Sequence, residues 1–226
     1  SSTSRGLGDV YKRQYFQLVV NVAALLLVLA GSAIGTELPL TVTQILWINL
    51  IMDTFAAMAL ASLPPSAEVM KSKPRRQTDF ILTRRIQWAI IVVGLLMFAP
   101  MMAFLVWCER ETGANAGMDV HELTLFFTTF VMLQWWNLLN AKALGSDHSA
   151  FHQLLADRTL LFVMLLVLVG QWFIVTFGGE MFRVTPLSLK EWGIIILVTS
   201  PVLWIGEMLR LLKKSPSPSL PRGERA

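Results

Sequence analysis

Long apolar stretches, separated by short polar segments, make up most of the chain. A helix that crosses a bilayer needs about 20 mostly apolar residues, and five of the stretches reach that length. Together with the turn signals between them, the pattern predicts six helices at about 15–33, 41–63, 86–107, 123–144, 159–177 and 191–212. We therefore expect an all-α membrane protein, a bundle of six transmembrane helices.

The second predicted helix has clear signals at both ends. Two glycines and Pro39 in the stretch 31–40 predict a turn before it. Thr41 followed by Gln44 has the spacing of a capping box, so the helix should begin there. Pro64 and Pro65 should end it, because proline lacks the backbone N–H that a helix interior needs.

Composition agrees with burial in a bilayer. Hydrophobic residues make up 54% of the chain and charged residues 15%, against about 25% charged residues in ordinary soluble domains. The net charge of +4 is not gathered into a basic stripe, so we expect no nucleic-acid partner. The one cysteine, Cys108, excludes a disulfide within the chain.

Lysine and arginine are distributed unequally between the two sides of the predicted bundle, and this bias sets orientation in membranes. One side carries Lys71, Lys73, Arg75, Arg76, Arg84, Arg85, Lys142, Arg158, Arg210, Lys213, Lys214, Arg222 and Arg225. The other side carries Arg110, Arg183 and Lys190. We predict that the first side, with both termini, faces the cytosol.

The two ends of the chain differ from the part between them. Residues 1–14 are polar, start without methionine and lack the features of a signal peptide, so we expect an artefactual or disordered leader. The stretch 213–226 is rich in proline, serine and arginine, which predicts a disordered cytosolic tail. The membrane domain should occupy 15–212.

Candidate chemistry lies in the polar side chains inside the predicted helices. An ionisable residue in a membrane span usually marks a pathway or a site, and Asp53 is such a residue, with Asn49 one turn earlier on the same face. Counted from Thr36 at 1.5 Å per residue, Asn21, Asn49 and Asp53 all lie about 20 to 25 Å from the turn. One carboxylate and two amides suit a hard cation such as Ca²⁺.

The fourth predicted helix carries further amides, at Gln134, Asn137 and Asn140. Gln134 and Asn137 share a face because they are three residues apart, and Gln134 is the better candidate to approach the cation site. An alternative interpretation of these amides, and of Asn21 and Asn49, is that they form hydrogen bonds between helices.

Four segments resemble the membrane region of P-type calcium ATPases. The segment 39–65, which contains QILWINLIMDT at 44–54, resembles their sixth transmembrane helix, and QLVVNV at 17–22 resembles the end of their fifth. The segment 127–142, with FTTFVMLQ at its start, resembles the eighth, and 177–192 resembles the connection into the tenth. The resemblance implies that the six helices are the fifth to tenth of a ten-helix transporter.

Residue by residue, the resemblance implies roles for the polar side chains. Asn49 and Asp53 match the side chains that hold the family's retained calcium site, and Asn21 matches an asparagine at the cation pathway. Gln134 falls where the sarcoplasmic-reticulum type has a glutamate. The metal ligands expected from the resemblance are therefore Asn49, Asp53, Asn21 and Gln134.

Three departures distinguish the chain from the sarcoplasmic-reticulum type. Ala24 stands where that type has a glutamate, Met52 where it has a threonine, and Gln134 where it has the eighth-helix glutamate. All three are similar to the plasma-membrane type, which carries one calcium per cycle. The resemblance therefore implies one cation site and an integral protein of the plasma membrane.

The resemblance also implies what other parts such a transporter needs. The chain contains no Asp-Lys-Thr-Gly phosphorylation motif, no nucleotide-binding domain and no helix with a Pro-Glu pair. We therefore expect it to be a membrane fragment of an ATP-driven cation transporter that cannot hydrolyse ATP alone. Ca²⁺ would be the transported ion, and ATP and Mg²⁺ would act in the full-length parent. Its partners would be the lipid bilayer and the N-terminal half of the pump.

Alternatives remain open at this point. The chain could form a six-helix cation channel or secondary transporter by itself, although no internal repeat of the kind common in transporters is visible. It could also be a membrane scaffold that binds partners. Among hard cations, Mn²⁺ is an alternative to Ca²⁺, because oxygen ligands distinguish such ions by cavity size and ligand number.

Overall fold

The computed structural model describes residues 2–35, 40–61, 63, 84–112, 118–144, 148–152 and 154–214. All regular structure in these ranges is helical, in agreement with the predicted all-α fold. The first helix is Ser2–Ile34, the third Arg84–Thr112, the fourth Val120–Ala143 and the fifth Arg158–Phe177. The second consists of Val42–Leu50, Ile51–Ala56 and Ala57–Ala61, and the sixth of Leu189–Thr199 and Pro201–Lys214, with a short helix Gly179–Phe182 between the fifth and sixth.

The first helix begins at Ser2 instead of near residue 15. The stretch 2–14 contains no proline, so nothing in it interrupts the hydrogen bonds of the helix. Its helical backbone differs from the disordered leader expected above, and its artefactual origin stays a prediction. At the other end, residues 213 and 214 complete the sixth helix, and the rest of the expected disordered tail lies outside the described residues.

Among the described residues, three helices begin with a capping box, in which the side chains of two residues bond each other's backbone N–H groups. The boxes pair Thr41 with Gln44, Asp119 with Glu122, and Ser188 with Glu191. The first of them confirms the predicted start of the second helix. The other two place the starts of the fourth and sixth helices two or three residues before the predicted positions, because the helix extends beyond its apolar part to the capping residue.

Within the part of the chain that the structure describes, two helices depart from regular α geometry. The second helix changes to a π-helix over Ile51–Ala56, where each turn contains an extra residue. The sixth helix, expected to be continuous over 191–212, is divided at Ser200 because Pro201 cannot donate a backbone hydrogen bond. Both departures lie within stretches that are long and apolar enough to cross a membrane.

Five stretches of the described helices are long and apolar enough to span a membrane: Lys12–Ala33, Val42–Ala61, Ile86–Cys108, Arg158–Phe177 and Leu189–Leu211. Large apolar side chains on their outer faces, such as Leu29, Trp88, Leu165 and Leu197, are exposed, as expected for contact with lipid. The structure therefore supports the predicted membrane bundle.

The fourth helix is not among these five stretches, and it forms the centre of the bundle. It packs against the first, third, fifth and sixth helices. It carries a series of buried polar side chains, at Thr124, Thr128, Gln134, Asn137 and Asn140. Neighbouring helices shield these groups from lipid, so this helix tolerates polar residues that a lipid-facing helix would not.

Glycines allow three pairs of helices to approach closely, which is a common device in membrane bundles. A side chain added at each of these glycines would meet a residue of another helix: Val22 at Gly94, Trp47 at Gly170 and Asn140 at Gly206. The first pair joins the third and first helices, the second joins the fifth and second, and the third joins the sixth and fourth.

Candidate functional site

The π-helix of the second helix contains the only ionisable residue predicted for the cation site, Asp53. Such single π-turns occur frequently at functional sites, because the extra residue disturbs the regular pairing of backbone groups. The structure describes Asp53 by its backbone, and its side chain lies outside the described residues. The prediction that its carboxylate binds a cation therefore stays a prediction.

Asn21 and Asn49 lie on exposed faces of the first and second helices. Asn21 shares its face with the exposed side chain of Leu25, and Asn49 shares its face with exposed Leu46. An amide in an otherwise apolar face of a membrane helix is unfavourable unless protein or water contacts it. These two faces are therefore unusual among the lipid-facing surfaces of the bundle.

In contrast to Asn21 and Asn49, the side chains of Gln134 and Asn137 are fully buried, on one face of the fourth helix. Neither the oxygen nor the nitrogen of either amide has a hydrogen-bond partner within the described part of the chain. A buried polar group without a partner lowers the stability of a protein by about 1–3 kcal/mol. Two such side chains three residues apart on one helix face therefore need an explanation. Their oxygen atoms are of the type that hard cations accept as ligands.

Asn140 differs from the other two amides of the fourth helix. Its Nδ2 donates to the backbone oxygen of Val202 at 2.9 Å, and its Oδ1 accepts from Arg210 at 3.3 Å. Arg210 also bonds the buried carboxylate of Glu207 at 2.8 Å. The predicted alternative of hydrogen bonding between helices therefore applies to Asn140, which ties the fourth helix to the sixth.

A second group of polar contacts links the second, fourth and fifth helices. Trp47 Nε1 donates to Gln171 Oε1 at 2.9 Å, and Gln171 Nε2 donates to Thr128 Oγ1 at 3.4 Å. Gln171 and Thr128 are fully buried. We call these three hydrogen-bonded side chains the Trp47–Gln171–Thr128 bridge. The sequence does not predict the bridge, because its members are far apart along the chain.

The predicted ligands are thus not gathered into one closed site by the contacts that the structure describes. Asn21 and Asn49 are exposed, while Gln134 is buried, and no hydrogen bond between these three is among the described contacts. The described residues also contain no group of three or more His, Cys, Asp or Glu side chains that could hold a metal. Asn137 is an additional candidate, which its spacing of three residues from Gln134 could have indicated.

Comparison with known proteins identifies the family. The sequence profile of the family described as "Cation transporting ATPase, C-terminus" matches residues 37–212. The human plasma membrane calcium-transporting ATPase 4 is 33% identical over 192 residues, which cover 81% of this chain and 15% of that protein. The plasma membrane calcium-transporting ATPase 1 of Gallus gallus is 32% identical over 216 residues, covering 92% of this chain and 18% of that protein.

These matches confirm the resemblance to P-type calcium ATPases of the plasma-membrane type. The chain spans 15–18% of the length of the two relatives, and in the first of them the aligned part amounts to most of this chain. The matched profile covers the second to sixth helices, including Asn49, Asp53 and Gln134. The chain therefore belongs to the family of C-terminal membrane regions of cation-transporting ATPases.

Proposed function

We propose that the chain is the membrane part of an ATP-driven calcium transporter and carries part of its intramembrane cation site. The observation that supports this most directly is the pair of buried amides without partners, Gln134 and Asn137, in a chain of the cation-transporting ATPase family. Neutral amide oxygens, combined with the carboxylate of Asp53, would supply the all-oxygen ligand set that Ca²⁺ prefers. Family membership favours this function over a stand-alone channel or a scaffold.

The four residues predicted from the sequence have distinct roles in this proposal. Asp53 and Asn49 would hold the ion from the second helix, and Asn21 would contact it along the pathway from the first helix. Gln134, with Asn137 beside it, would contact the ion or its water from the fourth helix. The π-helix around Asp53 supports the proposal, because it alters the backbone where the helix would need to present ligands.

The exposed amides indicate where the rest of the transporter would pack. Asn21 and Asn49 are exposed amides with exposed apolar neighbours such as Leu25 and Leu46, so we infer that further helices of the pump cover these faces and complete the site. The relatives are five or more times longer than this chain, which leaves room for such helices. ATP and Mg²⁺ would act in those additional parts.

The proposal includes a location and an orientation. The relatives are named as plasma membrane proteins, so we place this integral membrane protein in the plasma membrane. Both of its ends would face the cytosol, as the bias of lysine and arginine predicts.

The test uses a full-length pump that contains this membrane region. Asp53→Asn removes the negative charge from the proposed site while keeping the size of the side chain, and should abolish calcium-dependent phosphorylation by ATP. Glu180→Gln is the matched control, because Glu180 is an exposed carboxylate on the short helix outside the bundle core, and it should leave phosphorylation unchanged. Unaltered calcium dependence in Asp53→Asn would contradict the proposed function.

A further inference from the structure

The Trp47–Gln171–Thr128 bridge connects two of the three helices that carry proposed ligands, the second and the fourth, without involving any of the ligands. Trp47 belongs to the second helix, Thr128 to the fourth, and Gln171 to the fifth helix between them. Gln171 uses both ends of its amide, since Oε1 accepts from Trp47 and Nε2 donates to Thr128. One side chain thus bonds both the second and the fourth helix.

The second and fourth helices run in the same direction, antiparallel to the fifth. Thr43, near the start of the second helix, donates to the backbone oxygen of Met181 at 2.9 Å. Thr124, near the start of the fourth helix, accepts from the backbone N–H of Thr185 at 3.0 Å. Both helices therefore begin beside the segment that follows the end of the fifth helix at Phe177.

This common direction places the bridge at the same distance along each helix from Asp53 and from Gln134. Trp47 precedes Asp53 by six residues, and Thr128 precedes Gln134 by six residues. At 1.5 Å per residue, each interval is roughly 9 Å along the helix axis. The bridge therefore ties the two helices together somewhat more than one and a half turns before Asp53 and Gln134, and on the second helix just before the π-helix that contains Asp53.

The surroundings of the bridge leave little room for the helices to shift. A Cβ atom added at Gly170 would lie 2.7 Å from Cη2 of Trp47, so the indole ring rests directly on the backbone of the fifth helix. Gln171 and Thr128 are fully buried, so water cannot replace a lost partner, and breaking the bridge leaves a buried polar group unsatisfied. The bridge therefore constrains both the spacing and the rotation of the second helix.

We propose that Gln171 is a positioning residue for the cation site, one that sets the placement of the second helix relative to the fourth without touching the ion. The inference rests on the proposed function, because it assumes that Asp53 and Gln134 act on the same cation. It predicts that loss of the bridge weakens cation binding while leaving the capacity for phosphorylation intact.

The experiment measures phosphorylation by ATP against calcium concentration in a full-length pump that contains this region. Gln171→Met keeps the length of the side chain and removes both hydrogen bonds, and should raise the half-saturating calcium concentration about tenfold, which corresponds to about 1.4 kcal/mol. The maximal phosphoenzyme level should be retained. Trp47→Phe should also raise the half-saturating calcium concentration. The double variant should need no more calcium than Gln171→Met alone, because both substitutions break the same bridge.

The matched control is Thr199→Val. It removes the acceptor of the bond from Trp136 Nε1, 3.0 Å long, which joins the fourth and sixth helices and does not involve the second. Thr199 is buried like Gln171, so the control tests for a general loss of packing. Equal shifts in calcium affinity for Gln171→Met and Thr199→Val would overturn the inference.

Further outcomes are equally decisive. If Gln171→Met does not fold, Trp47→Phe answers the question by itself, and an unchanged calcium affinity in that variant overturns the inference. If Asp53→Asn abolishes the calcium dependence while Gln171→Met behaves like the control, the proposed function stands and only the inference fails. Absence of calcium-dependent phosphorylation in the unaltered pump would contradict both the proposed function and the inference about Gln171.

Discussion

At the scale of single residues, three amides on one helix have different environments. Asn140 has two partners on the sixth helix, whereas Gln134 and Asn137 have none among the described residues. A protein gains no stability from burying an amide that bonds nothing. The two unsatisfied amides are therefore best explained by a function that requires them, and this explanation makes a prediction about stability.

Asn137→Leu should raise the free energy of unfolding by about 1–3 kcal/mol, because it replaces an unsatisfied buried amide by an apolar group of similar size. Asn140→Leu on the same helix is the matched control and should lower the stability by a similar amount, because it leaves Arg210 and the carbonyl of Val202 without their partner. Thermal unfolding of the purified chain in detergent measures both. A destabilised Asn137→Leu variant would show that this amide has a structural partner.

The sequence contains enough information to predict the shared face of Gln134 and Asn137, since their spacing of three residues matches a helix. It does not contain a local sign that Asn140 has partners, because Val202 and Arg210 lie 62 and 70 residues further along the chain. The same holds for Gln171, which is 124 residues from Trp47. Pairings of this kind depend on how the helices are arranged, and one sequence does not determine that arrangement.

At the scale of helices, the apolar pattern locates the membrane-crossing parts better than the helix ends. The capping signal at Thr41 predicts the start of the second helix, and the helix begins there. The fourth and sixth helices begin earlier than their apolar stretches, because Asp119 and Ser188 continue the helix into polar sequence. The π-helix over Ile51–Ala56 has no signal in the pattern, since it changes the number of residues in a turn and not their polarity.

The contact between the fourth and sixth helices depends on a glycine. Gly206→Ala should destabilise the bundle by about 1–3 kcal/mol, because the added methyl group would collide with Asn140 and push the helices apart. Gly193→Ala in the first part of the sixth helix is the matched control: nothing lies within 4 Å of an added Cβ there. This control should be stabilising by about 0.5–1 kcal/mol through helix propensity. Thermal unfolding distinguishes the two, and equal effects would contradict close packing at Gly206.

At the scale of the whole molecule, polar side chains fasten the connection between the fourth and fifth helices to the bundle. The connection between the fourth and fifth helices is held by Lys142, which bonds Asp157 at 2.8 Å and the backbone oxygen of His152 at 2.7 Å. Glu207 of the sixth helix accepts from the backbone N–H of Ala150 at 2.6 Å. This is the end that the charge bias assigns to the cytosol.

Sidedness can be measured with single cysteines in a variant from which Cys108 has been removed. Ser149→Cys lies in the connection between the fourth and fifth helices, and Ser188→Cys lies at the start of the sixth; both positions are exposed. In sealed right-side-out vesicles, an impermeant thiol reagent should label Ser188→Cys and should label Ser149→Cys only after permeabilisation. The reverse pattern would show that the orientation inferred from lysine and arginine is wrong.

The polar, central fourth helix has a consequence for how the protein is made. A translating ribosome releases this helix after the first and third helices but before the fifth and sixth, which supply the partners of Thr128 and Asn140. Until Val202 has been synthesised, the amide of Asn140 has no acceptor in that helix, and insertion into lipid is least favourable for this segment of the chain. The polar contacts of the helix around which the bundle is organised are therefore completed only after the fifth and sixth helices have been made.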